Sequence, residues 1–158
     1  MSVEAAYDLA ALTDFPIEGI EWIRLRGGPG FEYPVDYSIA VLGACALRGQ
    51  VDFLSKWEPD SYCHYHRHLG QTTAVVLEGE HHVVEESPTE VVHKTRKPGH
   101  SVRNPSGDVH MEYGGPHGSV VFFSMTTPDG RVFDILDRQG DILVTVTLDD
   151  MASGRLPV

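Results

Sequence analysis

Hydrophobic and polar residues alternate along most of the chain in short runs that are typical of β-strands. Residues 21–26 and 62–68 show the period of two that places successive side chains on opposite faces of a strand. Glycine- and proline-rich turns separate such runs at short intervals, which favours an antiparallel sandwich or barrel. The predicted strands cover residues 21–26, 37–47, 51–57, 62–68, 72–86, 90–95, 101–104, 109–113, 119–125, 131–136 and 141–148.

Two glycine-containing segments are predicted to interrupt these runs. Residues 72–86 are predicted to form two strands that turn at Glu78 and Gly79. The sequence GGPHG at residues 114–118 is predicted to form a loop between two further strands.

The remaining sequence predicts little helix. One short helix is expected near residues 5–12, in an extension that covers residues 1–19. We therefore expect a single all-β domain over residues 1–158, with its core at about residues 20–148.

Composition and charge exclude several classes of partner. The chain has 12 Lys and Arg against 23 Asp and Glu, for a formal charge of −11, which argues against nucleic-acid binding. No apolar run reaches the roughly 18–20 residues that span a bilayer, and the first residues do not read as a signal peptide. We therefore expect a cytoplasmic protein with neither a nucleic-acid nor a membrane partner.

Histidine is the unusual residue, with nine in the chain and several of them close together. In a regular strand over residues 62–68, His64, His66 and His68 would share one face and Cys63 would lie on the other. Two imidazoles separated by one residue can approach a single metal ion. An isolated pair of this kind is also common on a solvated polar face.

The segment that leads to His110 has a second informative spacing. Gly99 is followed after five residues by Pro105, after one more by Gly107, and after two more by His110. This pattern resembles the second conserved motif of the cupin superfamily. The tight turn at Pro105 and Gly107 would place His110 on an interior strand.

The histidine-rich segment resembles the first cupin motif, which reads Gly, five residues, His-x-His, three or four residues, Glu, six residues, Gly. Here His66 and His68 are followed after three residues by Thr72 and after six more by Gly79. Asp60 stands where the leading glycine is usual. The order and spacing of both motifs match.

The resemblance covers about residues 20–145 and implies the fold and the metal site. The expected fold is a double-stranded β-helix, the cupin jelly-roll barrel. Thr72 replaces the motif glutamate, or Thr73 does if the loop is one residue longer. The resemblance therefore implies a site of three histidines: His66, His68 and His110.

Smaller features point to a group within the superfamily. The HRHLG segment, the threonine at the glutamate position, the GDVH turn and the FDILDRQGDIL stretch are most similar to acetylacetone dioxygenase and 2,4′-dihydroxyacetophenone dioxygenase. The resemblance implies a homodimer with Fe(II) that cleaves a carbon–carbon bond of a β-diketone or 2-hydroxyketone with O2. Three imidazoles also suit Zn, Ni, Mn or Cu, so the donor type does not select iron.

Two other functions fit the same resemblance. One is a non-catalytic metal-binding or sensor cupin, as in the ChrR type of anti-sigma factor. The other is a non-oxidative enzyme, such as an isomerase, cyclase or decarboxylase that uses Zn or Ni. A fold does not determine a function, and both alternatives remain open at this point.

Three further residues are candidates for catalysis. Glu112 would face the same interior as His110 and could deprotonate a substrate or hydrogen-bond an imidazole, or else lie at a solvated barrel mouth. Thr73 could hydrogen-bond O2 or substrate. His64 could be an alternative ligand, a hydrogen-bond partner of a ligand, or a residue at the rim.

The other histidines and nearby side chains have simpler interpretations. His81 and His82 are expected on the exposed sheet, and His93, His100 and His117 have no partner at metal spacing. Tyr113 is expected on the outer face. Phe123 and Met125 are expected in the core or in a pocket wall.

Overall fold

The computed structural model describes residues 20–28, 31 and 33–158, and within them nearly all regular structure is β. The helix expected near residues 5–12 lies outside the described residues. The described strands are Ile23–Arg26 (β1), Asp36–Cys45 (β2), Gln50–Trp57 (β3), His66–His68 (β4), Gln71–Glu86 (β5), Val91–Arg96 (β6), Ser101–Asn104 (β7), Val109–Thr126 (β8), Arg131–Leu136 (β9) and Ile142–Thr147 (β10). One helix, Leu148–Ser153 (α1), follows β10.

Two long strands, β5 and β8, build the barrel by passing through both of its sheets. The last part of β8 pairs with β3 on one side and with the first part of β5 on the other, which gives the strand order β1-β2-β3-β8-β5-β7. The first part of β8 pairs with β4 and with the last part of β5, which gives the order β10-β9-β4-β8-β5-β6. All these pairs are antiparallel, and the predicted all-β jelly-roll architecture is confirmed.

The apolar faces of the two sheets pack against each other. Phe53 of β3 stacks on Phe123 of β8 at a ring distance of 5.0 Å and meets the edge of Phe133 of β9 at 5.9 Å. All three rings belong to the buried core. Offset and edge-on aromatic contacts of this kind stabilise a core beyond the area that they bury.

The predicted turn at Glu78–Gly79 and the predicted loop at residues 114–118 are wrong, because both segments lie inside continuous strands. Register shifts occur in β5 between Val76 and Glu78 and between Gly79 and His81. Gly79 and Gly118 have φ values of +75°, and a Cβ on Gly79 would collide with the carbonyl oxygen of Gly118. The glycines therefore allow bulges and a close approach where the strands bend, instead of ending them.

Helix α1 was not expected, because the pattern of residues 141–148 favours a strand that closes the sheet. The Asp150 N–H donates to Thr147 Oγ1 at 3.2 Å, and the Thr147 N–H donates to Asp150 Oδ2 at 2.8 Å. This reciprocal capping box begins the helix, and Gly154 ends it with a φ of +69°. No helix in the described residues is long and apolar enough to cross a membrane.

Candidate metal centre

Three histidines and one glutamate converge inside the barrel. His68 Nε2 lies 3.0 Å from His66 Nε2 and 3.0 Å from His110 Nε2. Glu112 Oε2 lies 3.4 Å from His66 Nε2 and 3.3 Å from His110 Nε2. The four side chains are buried, and their potential ligand atoms all lie within 4.8 Å of one another.

Strand pairing explains why these residues meet. His66 of β4 lies directly opposite His110 of β8 in the antiparallel ladder. His68 and Glu112 each follow two residues later, so the alternation of a strand turns them toward the same interior. The structure thus brings together the three histidines that the motifs indicate, and it adds a carboxylate from β8.

The outer nitrogen of each of the first two imidazoles is fixed by a hydrogen bond. His66 Nδ1 donates to the backbone carbonyl of His64 at 2.7 Å. His68 Nδ1 lies 2.9 Å from Thr72 Oγ1, and the Thr72 hydroxyl itself donates to the Gly70 carbonyl. Thr72 Oγ1 therefore accepts from His68 Nδ1, and in both histidines the proton is on Nδ1.

The outer nitrogen of the third imidazole is fixed by a hydrogen bond in the same way. His110 Nδ1 lies 3.1 Å from Asp108 Oδ2, a carboxylate oxygen that can only accept when ionised. With all three protons held at Nδ1, the neutral imidazoles point three Nε2 lone pairs at one another. Glu112 adds a fourth acceptor, so the centre requires a cation or additional protons.

The donor set fits a divalent metal ion. Nitrogens bound to one ion at about 2.1 Å and at a right angle are about 3.0 Å apart, which is the separation that His68 makes with both other histidines. Outer hydrogen bonds to a carbonyl, a hydroxyl and a carboxylate are the usual way in which proteins orient such ligands. Three imidazoles and a carboxylate accept Fe(II), Zn, Ni or Mn without choosing between them.

Glu112 changes the charge that a three-histidine site would have. A site of three neutral imidazoles leaves a divalent ion its full charge, whereas an ionised Glu112 cancels one unit of it. Burial disfavours the ionised form of Glu112, but His110, His66 and His81 outweigh burial and hold the pKa of its carboxyl well below the usual value. Glu112 is buried and does not lie at a solvated barrel mouth.

Without a metal ion, protons balance the carboxylates. Burial disfavours the imidazolium of His66, but Cys63 and Glu112 raise the pKa of His66 to about 9. Burial acts in the same direction on His110, where Glu112 and Asp108 raise the pKa to about 9. These protons occupy the positions that a cation would take.

His81 holds the second carboxylate oxygen of Glu112, and its expected place on the exposed sheet is wrong. Only 1% of His81 is exposed. Its Nε2 lies 2.9 Å from Glu112 Oε1, and its Nδ1 lies 3.1 Å from Ser119 Oγ. The register shift between Gly79 and His81 alters the alternation along β5 and turns His81 inward.

His64 contributes to the centre through its backbone. The side chain is 2% exposed, so of the three alternatives for His64 the position at the rim is wrong. Its Nδ1 hydrogen-bonds the Tyr37 hydroxyl at 2.9 Å, and its imidazole is not one of the four converging groups. Burial and the positive charge of His66 lower the pKa of His64 to about 4. The His64 carbonyl orients His66.

Thr73 and Cys63 lie differently from their expected positions. Thr72 is buried and faces the centre, whereas Thr73 is half-buried on the opposite face of β5, away from the histidines. Cys63 lies inside the barrel with its Sγ 3.7 Å from His66 Nδ1, not on the opposite face. The reason is that β4 begins only at His66, so the regular alternation expected from residue 62 onward does not exist.

An apolar chamber adjoins the metal centre. His66, His68 and Glu112 form part of its wall, together with Trp57 and Cys63. The rest of the lining is mainly aliphatic and aromatic and contains, within the described part of the chain, no lysine or arginine; it includes Leu25, Tyr37, Ile39, Phe53, Phe123, Phe133, Ile135, Val146 and Met151. Phe123 thus lines the chamber, while Met125 is buried in the core.

A separate group of histidines occupies the outer face of the second sheet. His82 is there as expected, and Tyr113 also faces outward, with its ring stacked on that of His82 at 4.4 Å. His93 lies 2.9 Å from His82, so the expectation that His93 has no partner is wrong. This group does not touch the chamber.

Comparison with known proteins shows that this chain shares its fold with several solved structures. No family model matches the chain, and no curated protein matches its sequence. Among solved structures it is similar to an acetylacetone dioxygenase from Acinetobacter johnsonii, with 15% identity, a TM-score of 0.65 and coverage of 84% of this chain and 83% of the other. An RmlC-like cupin protein from Ralstonia eutropha JMP134 is similar over 88% of this chain and 80% of its own, with 15% identity and a TM-score of 0.66.

The similar structures also include a lyase. A chain from the structures of the DMSP lyases RdDddP and RnDddQII matches 73% of this chain over 62% of its own length, with 14% identity and a TM-score of 0.57. Identities this low indicate a shared architecture and not a shared reaction. The chain has the cupin fold.

Proposed function

We propose that this protein is an Fe(II)-dependent dioxygenase that cleaves a carbon–carbon bond of a β-diketone or 2-hydroxyketone with O2. The proposed ligands are His66, His68 and His110. The observation that carries the proposal is the convergence of three imidazole nitrogens, each fixed by an outer hydrogen bond, at the wall of an apolar chamber.

The apolar lining of the chamber supports the proposal that the substrate is a small uncharged ketone. Its lining includes Phe53, Phe123 and Phe133, which are apolar like the hydrocarbon part of such a molecule. The cavity has a volume of about 40 Å³, so its side chains must move apart when a ketone enters. A phosphorylated or carboxylated substrate would lie close to the ionised carboxylate of Glu112 in the chamber wall. The negative charges of the substrate and of Glu112 would repel each other. A β-diketone or 2-hydroxyketone enters without a negative charge, which avoids this cost, and still presents two oxygens to the metal centre.

When bound, Fe(II) would polarise the substrate oxygens and mediate electron transfer to O2. Glu112 would accept the proton from the carbon that the substrate's carbonyl groups acidify, because its carboxylate lies at the chamber wall. His81 would keep that carboxylate in place through Oε1. Thr72 and Asp108 would keep His68 and His110 in the orientation that exposes Nε2.

The test is O2 consumption by protein that is loaded anaerobically with Fe(II) and then given a panel of β-diketones and 2-hydroxyacetophenones. We expect iron-dependent uptake with at least one compound, matched by formation of two cleavage products. Metal-free protein and the His110→Ala variant serve as controls. Fully loaded protein that consumes no O2 with any compound of the panel would contradict the proposal.

A non-oxidative reaction is the second candidate, and the position of Glu112 favours it. A buried carboxylate beside the metal centre can move a proton without any change in the oxidation state of the metal. In this case the same ketones would be converted under anaerobic conditions by Zn- or Ni-loaded protein. Product analysis with and without O2 separates the two reactions.

A further inference from the structure

The outer histidine group has the composition of a second cation site. His82 Nδ1 of β5 lies 2.9 Å from His93 Nε2 of β6. The Tyr113 hydroxyl of β8 lies 3.0 Å from His93 Nε2, and Thr95 Oγ1 lies 3.3 Å from His82 Nδ1. Two imidazole nitrogens and two hydroxyl oxygens thus lie in one continuous series of contacts on the outer face of the sheet, with the two nitrogens at its centre.

Glu80 determines which nitrogen of His82 is available. Glu80 Oε1 lies 2.6 Å from His82 Nε2 and accepts its proton in a hydrogen bond. The neutral ring therefore presents an unprotonated Nδ1 to His93. A carboxylate behind an imidazole is a typical arrangement for a metal-binding histidine, since it fixes the tautomer and increases the basicity of the free nitrogen.

We propose that His82 Nδ1 and His93 Nε2 bind a second divalent cation of the Zn, Ni or Cu class. Imidazole nitrogens suit these ions better than Mg or Ca. The Tyr113 hydroxyl and water would complete the coordination. This site is independent of the proposed enzyme activity, because His82 and Tyr113 point away from the interior while their neighbours His81 and Glu112 point into it.

Solvent access and charge both allow a cation to enter. His93 is exposed, and 11% of the His82 side chain is accessible to solvent. The chain carries a formal charge of −11, which raises the local concentration of cations. Two protein nitrogens give weaker binding than the three imidazole nitrogens of the interior centre.

The cation would stabilise strand β6 at an edge of the barrel. In the described part of the chain, β6 pairs with β5 and with no other strand. A metal ion shared by His82 and His93 would join these two strands by a side-chain bridge in addition to their backbone ladder. We therefore expect Zn to slow the opening of β6 specifically.

The test is the number of Zn ions bound at micromolar Zn, measured by equilibrium dialysis and elemental analysis. We expect His82→Gln and His93→Gln each to bind one equivalent fewer than the unaltered protein. His100→Gln is the matched control, because His100 is also an exposed histidine on this part of the chain but has no place in the group. The interior centre is unaltered in all variants. Any Zn bound there therefore adds the same number to each and does not affect the difference between them.

Hydrogen exchange gives a second readout. Zn should protect the amides of β6 in the unaltered protein and in His100→Gln, and this protection should be lost in His93→Gln. Equal Zn stoichiometry in the unaltered protein and His93→Gln would overturn the proposal and leave a hydrogen-bonded histidine pair. Loss of the same equivalent in His100→Gln would also overturn it.

Discussion

His81 Nε2 donates a hydrogen bond of 2.9 Å to Glu112 Oε1, while the other oxygen of the same carboxylate faces the three converging imidazoles. The carboxylate is thereby held at both ends. His81 is in turn anchored to Ser119. A residue that does not contact the metal position thus determines the orientation of one that does.

Replacing His81 should weaken metal binding. His81→Leu removes the donor to Glu112 Oε1, and we expect metal affinity to fall by about 10- to 100-fold. His81→Gln keeps an N–H donor and should recover part of the loss. Competitive titration with a metal chelator measures both, with His100→Gln as the control. Unchanged affinity in His81→Leu would show that Glu112 does not depend on this bond.

Replacing Glu112 by glutamine should separate two roles of the side chain. The amide oxygen of Glu112→Gln can still face a metal ion, but it cannot take a proton from the substrate. We expect metal affinity to fall by about tenfold and turnover by more than about 100-fold. Equal losses of affinity and turnover would indicate that the carboxylate acts as a ligand alone.

Removing His110 should abolish metal retention while the barrel stays folded. His110→Ala deletes the imidazole on β8 that lies 3.0 Å from His68 Nε2. We expect dialysed protein to contain no stoichiometric metal and to keep its β-rich circular dichroism spectrum. Stoichiometric metal in a folded His110→Ala variant would mean that the site has been assigned to the wrong residues.

Metal binding and stability should depend on pH in opposite directions. The pKa values of His66 and His110 rise from 6.5 to about 9 in the folded metal-free protein. Because the folded state holds these protons more tightly, they stabilise it fully below pH 6.5, and this stabilisation is lost as the pH rises through 9. Metal must displace the same protons, so its affinity increases over that interval.

Thermal unfolding at pH 6.5 and pH 9 tests this coupling. We expect the increase in Tm on metal addition to be larger at pH 9 than at pH 6.5. His110→Ala is the control, because it removes one of the two protons and the metal response together. A metal-induced increase in Tm that is independent of pH would contradict the expected coupling.

Two glycines with similar backbone angles should differ in their tolerance of alanine. Gly79 and Gly140 have φ values of +75° and +88°. A Cβ at Gly140 meets open space, whereas one at Gly79 collides with the Gly118 carbonyl. We expect Gly140→Ala to cost about 1–2 kcal/mol through backbone strain and Gly79→Ala more than about 3 kcal/mol. Urea unfolding measures both, and equal costs would mean that the bulge can relax.

Sequence patterns predicted the strands well wherever strand pairing continues without a register shift. The apolar run at residues 131–136, which follows the turn at residues 128–130, predicted β9 with its observed bounds, Arg131–Leu136. The two spaced motifs indicated His66, His68 and His110, and strand pairing brings these residues together. Their role as metal ligands stays a prediction. Inside a regular strand, the period of two indicates which side chains share a face.

The errors arise where that period is broken. His81 follows a register shift, so its inward position could not be read from alternation along β5. Cys63 precedes the start of β4, where no strand geometry applies. The Thr147-x-x-Asp150 spacing of a capping box was a signal for α1 that the strand pattern of the preceding residues concealed.

Glu112 and Tyr113 are consecutive residues of one strand, and each belongs to a different histidine group on a different side of the sheet wall. A slip of β8 by one position would exchange them, which would bring a phenol to the interior and expose the carboxylate. A slip of this part of β8 by one residue would therefore disrupt both histidine groups at once. The register of β8 therefore determines the geometry of the interior centre and of the outer histidine group together.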